Sequence, residues 1–111
     1  MPKLISIDLD GVLNTYDGNF DETKIPKIKD GAKEFLHKLA QNYRIEIFTT
    51  RNLKLTTLWL CENNLIQYIE NVSNVKNQYA SVIIDDRAIN FDGDFDVLYQ
   101  KINNFKPYWR R

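Results

Sequence analysis

The sequence predicts an α/β domain built on a parallel sheet, and three observations carry that expectation. Three short apolar runs rich in β-branched residues recur along the chain, stretches of helical spacing separate them, and each run closes on polar side chains. A strand, helix, strand, helix, strand order gives right-handed crossovers with helices on both faces of the sheet, a Rossmann-like arrangement. Ligands bind such sheets at the carboxyl ends of the strands, near a topological switch point.

The first run, LISIDL from Leu4 to Leu9, alternates until Asp8 and Asp10, with Gly11 immediately after. The irregular stretch from Asn14 to Gly31 follows and is expected to overhang the strand end. In DGAKEFLHKLAQNY, residues Ala32, Phe35, Leu36, Leu39, Ala40 and Tyr43 mark one amphipathic helix. RIEIFTT, Arg44 to Thr50, is the second strand. Leu58, Cys61 and Leu65 keep a helical stripe, and IQYIENV carries a weaker strand signal. SVIIDD, Ser81 to Asp86, is the third strand, and FDVLYQKINNF reads as a C-terminal helix. KPYWRR reads as a frayed terminus, with packing of its Trp and Arg residues on the domain or on another subunit as the alternative.

The 111 residues suit a single domain, 1–111, with no repeat or linker. Apolar residues make up 43% and charged residues 27%, which excludes bulk disorder. Fifteen basic residues balance fifteen acidic ones, so the electrostatic excess that drives nucleic-acid binding is missing and a polynucleotide partner is not favoured. No apolar run is long enough to span a bilayer, and the aspartates near the start do not suit a signal peptide. The lone Cys61 excludes an internal disulfide and is expected to be a buried thiol in a cytoplasmic protein.

The polar strand ends bring the chemistry. Side chains alternate along a strand, so Asp8 and Asp10 face one side, and Gly11 lets the backbone turn away. Asp85 and Asp86 bring two more carboxylates to the same end of the sheet, and their mutual repulsion calls for a hard divalent cation. Mg²⁺ suits such a site because it takes one or two carboxylates, keeps water, and shares phosphate oxygens with a substrate; the calcium-loop pattern of an EF-hand is absent. A carboxylate is also a nucleophile toward phosphorus, and a neighbouring carboxyl can move the proton.

DLDGVLN resembles motif I of the haloacid dehalogenase (HAD) superfamily. Thr49 after IEIF resembles motif II, Lys76 in NVKNQYA resembles the motif III lysine, and VIIDDRAINF resembles motif IV, especially as it stands in small capless members. The resemblance runs from about Leu4 to about Phe95. It implies a HAD-type core and a phosphatase in which Asp8 attacks phosphorus and Asp10 acts as acid and then base. The Asp8 carboxylate, the Asp10 carbonyl and Asp86 would hold Mg²⁺, with Asp85 orienting a bound water. Thr49 would bond the transferring phosphoryl group and Lys76 would neutralise its charge, with Lys54 as a substitute lysine. Thr50 competes with Thr49 for the motif II position. Arg51 and Arg87 are candidates for substrate phosphate contact or for structural ion pairs. His37 is expected on the surface.

The stretches between the motifs are filled by core elements, which leaves no room for a cap domain. Capless members work on large substrates, such as polynucleotide ends or phosphoproteins, or on small metabolites under a lid from a neighbouring subunit. The neutral charge balance favours a small phosphorylated metabolite such as a sugar phosphate, with a homo-oligomer as the source of the lid. The competing expectation is a domain that binds a phosphorylated ligand or a partner without turnover.

Overall fold

The computed structural model describes residues 2–111. Strand β1 (Leu4–Asp8) lies inside a four-stranded parallel sheet with β2 (Arg44–Phe48), β3 (Asn71–Ser73) and β4 (Val82–Ile84), in the order β3-β2-β1-β4. Its continuous apolar run follows from that position, because both neighbours hydrogen-bond to it and Leu4 through Ile7 are buried. The register sets Ile5 beside Ile45 and Ile7 beside both Ile47 and Ile84. These isoleucines stack across the sheet, and one residue beyond them the chain reaches Asp8.

Helices α1 (Ala32–Ala40), α2 (Leu53–Glu62) and α3 (Phe95–Asn104) complete the α/β architecture. The fold class expected from the sequence is the one observed. α1 packs on β2 through Ala32 and Leu36, with Leu39 and Ala40 partly buried against the same core. Its apolar stripe is narrower than the pattern implies, since Phe35 and Tyr43 are exposed.

α2 buries a different face from the one expected. Thr56, Trp59 and Leu60 point inward, whereas Leu58 is 50% exposed and Cys61 is exposed. The reason is local chemistry: the Thr56 hydroxyl donates to the Asn52 carbonyl at 3.0 Å, so a polar residue takes an interior position at no cost in unmade bonds. The IQYIENV segment splits into a 3₁₀ turn, Ile66–Tyr68, and the short strand β3. Glu46 on β2 is buried, and its carboxylate accepts from the amides of Asn77 at 3.0 Å and Asn71 at 3.4 Å, which ties β2 to the start of β3 and to the segment that follows it.

α3 is started by Asp94, whose side chain accepts from the N–H groups of Asp96 and Val97. It buries none of its residues; Phe95 is 76% exposed, Tyr99 63% and Ile102 55%. The terminus is not frayed. Tyr108–Arg110 form a 3₁₀ turn, the Tyr108 hydroxyl donates to the Gly11 carbonyl at 2.6 Å, and the Trp109 ring meets Tyr16 edge-on at 5.5 Å. The apolar and aromatic faces of KPYWRR find partners in the loop after β1, a contact that local sequence does not encode. No helix among the described residues is long and apolar enough to cross a membrane.

Candidate active site

The sheet order decides where the polar strand ends meet. The chain runs outward from β1 through β2 to β3, then returns to place β4 on the other side of β1. The switch point therefore lies between β1 and β4, and their carboxyl ends carry Asp8 and the Asp85–Asp86 pair. One carboxylate oxygen from each of Asp8, Asp85 and Asp86 lies within 4.8 Å of the others.

Burial raises the Asp8 carboxyl first, and the charge of Asp85, a hydrogen bond with Asp86 and the charges of Asp86 and Asp10 raise it further, to about 8. Three acids so close strongly oppose full ionisation. A divalent cation reverses that balance, and the donor set suits one: all oxygen, all carboxylate, with Asp86 Oδ1 buried and without a hydrogen-bond partner. Asp85 is oriented by its own turn, its Oδ1 accepting from the Arg87 N–H at 2.8 Å.

Asp10 stands apart from that trio. After β1 the backbone turns tightly, with Leu13 N–H on the Leu9 carbonyl at 3.0 Å and Gly11 at a φ of 81°. Asn14, fully buried, holds the turn from inside: its Oδ1 accepts from the N–H groups of Gly11 and Tyr16, both at 3.1 Å, and its Nδ2 donates to Asp10 Oδ1 at 3.0 Å. Arg51 Nε donates to both Asp10 oxygens, at 2.9 and 3.1 Å. Asp10 is thus pinned from two sides within the pocket that Asp8 lines.

That pocket, about 290 Å³, is lined by Asp8, Asp10, Thr49, Thr50, Asp85 and Arg87, with Phe48 at its wall and Tyr16 and Phe20 from the long loop above. The expected overhang is present. Thr49 is buried and its Oγ1 accepts from the Arg51 N–H at 3.1 Å, which leaves the hydroxyl proton free to donate. Thr50 is exposed at the same pocket. Asn74 clamps this turn from beyond β3, its amide donating to the carbonyls of Thr49 and Arg51.

For Arg51 the structure shows the ion pair, one of the two alternatives its position offers. Its side chain is 1% exposed, its Nη1 donates to the carbonyls of Asp21 at 2.7 Å and Lys24 at 3.2 Å, and Phe20 covers the guanidinium at 4.5 Å. The residue is a structural ion-pair partner because its planar fork fits the carboxylate on one edge and the loop carbonyls on another. Lys76 does not line the Asp8 pocket. It lies on an adjoining hollow that shares Phe48 and Asp85 with it. His37 is exposed and meets Tyr68 edge-on, as a surface residue.

Five contributors to the site, Asn14, Tyr16, Phe20, Asn74 and Trp109, were not singled out in the sequence. Asn14 and Asn74 work through backbone contacts made in loops, where no periodicity marks a role. For Asn14 the available signal is a polar residue closing the apolar pair Val12 and Leu13.

The fold has a solved counterpart. A conserved protein encoded by a locus of Bacteroides thetaiotaomicron superposes with a TM-score of 0.62 at 19% identity, over 96% of this chain and 93% of that one. Similarity at that identity speaks for the architecture alone. No protein-family model matches the chain, and no curated protein matches it.

Proposed function

We propose that the chain is a Mg²⁺-dependent phosphate-monoester hydrolase working through an aspartyl-phosphate on Asp8. The observation that carries this reading is the meeting of Asp8, Asp85 and Asp86 within 4.8 Å at the switch point, beside a pocket that Asp8 and Asp85 line together with Asp10 and Thr49. The HAD-like order of the motifs supports it.

Asp8, Asp85 and Asp86 would hold the ion, which supplies positive charge to screen phosphoryl oxygens from the carboxylates. An Asp8 oxygen attacks phosphorus as the bond from phosphorus to the ester oxygen breaks. Asp10, entering the cycle as the carboxylic acid, gives its proton to the departing oxygen and, now a carboxylate, takes one from the water that attacks the aspartyl-phosphate, which releases phosphate and restores both Asp8 and protonated Asp10. Arg51 and Asn14 fix the position of Asp10 in the pocket for both transfers. The Thr49 hydroxyl donates to a phosphoryl oxygen, and Arg87 and Thr50 bind the substrate at the mouth. Lys76 adds charge from the adjoining hollow.

A pocket of about 290 Å³, covered by Tyr16 and Phe20, favours a small phosphorylated metabolite over a polymer end. A second copy serving as a further lid, and a reducing cytoplasm for Cys61, belong to the same proposal. The test is p-nitrophenyl phosphate hydrolysis with and without Mg²⁺, followed by a panel of sugar phosphates, nucleotides and phosphorylated oligonucleotides. Metal-dependent release that Asp8→Asn abolishes is expected; full activity in that variant overturns the reading. A binding domain without turnover would give no release with any member of the panel.

A further inference from the structure

We propose that Trp109 is a positioning residue for Asp86, so that the C-terminal turn is a built part of the site; this rests on the phosphatase reading above. The three acids differ in what orients them. Asp8 is the last residue of β1, and Asp85 is held by the Arg87 N–H of its own turn. With Asp8 ionised, the Asp86 side chain has one hydrogen-bond donor among the described residues, the indole Nε1–H of Trp109, which binds Oδ2.

That bond selects which oxygen faces the cation position. With Oδ2 taken, Oδ1 is the oxygen left buried and unpartnered. A side chain with two rotatable bonds would otherwise spread over several rotamers, and a donor on one oxygen removes most of that freedom.

The indole is itself held in place. Its ring stands edge-on to Tyr16 at 5.5 Å and 80°, the Arg110 guanidinium lies 5.1 Å over it, and the neighbouring Tyr108 hydroxyl donates to the Gly11 carbonyl at 2.6 Å. Gly11 leaves the space for this arrangement. A Cβ there would overlap Asp86 Oδ2 and come within 3.0 Å of the indole nitrogen. The glycine after Asp10 thus serves the backbone turn and also the approach of Trp109 to Asp86.

Trp109→Phe keeps the aromatic packing and removes the N–H. Calorimetric titration of the substrate-free protein with Mg²⁺ is expected to show affinity weakened by about ten- to a hundred-fold. The metal-free melting temperature should be nearly unchanged, and kcat should recover at saturating Mg²⁺. A second readout is spectroscopic: the indole N–H resonance that disappears in Trp109→Phe should, in the parent protein, shift on Asp86→Asn and again on Mg²⁺ addition. An unchanged Mg²⁺ isotherm in Trp109→Phe, with parent hydrolysis intact, overturns the role of Trp109 alone, as does a resonance blind to Asp86→Asn. A parent protein that neither binds Mg²⁺ nor hydrolyses phosphate esters overturns the phosphatase reading and this role with it.

Discussion

Arg51 and Asp10, which come from the turns after β2 and β1, form a shielded ion pair: Arg51 Nε lies 2.9 Å from one Asp10 oxygen and 3.1 Å from the other. The arginine side chain is 1% exposed and the aspartate 17%. The same guanidinium bonds two carbonyls of the long loop, so one residue joins the acid/base candidate to the segment that roofs the pocket.

Breaking that pair leaves the partly buried Asp10 carboxylate with the Asn14 amide and no countercharge, and removes the Arg51 donor from two loop carbonyls. Arg51→Met is expected to destabilise the protein by about 3 kcal/mol, measured by urea unfolding, and to lower kcat by loosening Asp10. Arg51→Lys should recover part of the stability but little of the rate, because an ammonium cannot reach Asp10 and the loop carbonyls in the arrangement a guanidinium spans.

Asp10 is the proton carrier in the proposed mechanism, and its two tasks respond differently to the leaving group. Asp10→Asn should lower turnover of an alkyl phosphate about a hundred-fold or more, with a smaller loss on p-nitrophenyl phosphate, whose departing oxygen needs little protonation. Because attack of water on the aspartyl-phosphate also slows, phosphorylated Asp8 should accumulate and be visible by mass spectrometry. Equal losses on both esters would remove Asp10 from the acid role.

The carboxyl of Asp8 sits at about 8 in the folded protein against an ordinary value of 3.8, so without metal the fold prefers its protonated form. The associated stability is complete below about 3.8 and is lost as pH rises toward 8, since the unfolded chain releases that proton first. Metal-free melting temperatures should therefore carry a component that falls across this range and vanishes in Asp8→Asn. Mg²⁺ displaces the proton, so its affinity should rise with pH over the same interval.

Two glycines at similar backbone angles separate strain from crowding. Gly11 has a φ of 81° and Gly31 a φ of 89°, but a Cβ at Gly31 would meet nothing within 4 Å. Gly31→Ala should cost about 1 kcal/mol of stability and leave hydrolysis intact. Gly11→Ala should cost more and abolish Mg²⁺-dependent activity, because its methyl group displaces Asp86 and Trp109. Calorimetric melting and phosphate release measured on both variants check the contrast.

The α/β class was legible in the sequence because it rests on local periodicity. The apolar Ile5 and Ile7 mark β1, which delivers Asp8 to the pocket, whereas Asp10 reaches the same pocket through the turn that follows the strand. Helical spacing locates α1 correctly but misjudges α2, where a satisfied Thr56 hydroxyl lets a polar residue take an inward position. The order β3-β2-β1-β4, which sets Asp85 and Asp86 beside Asp8, belongs to the tertiary structure. So do the burial of Arg51 on Asp10, the offset of Lys76 into its own hollow, and the docking of Trp109 on Asp86. These contacts join residues far apart in the chain. Which segments meet is decided by packing and by the satisfaction of buried polar groups across the whole core, and spacing within any one segment carries no trace of it.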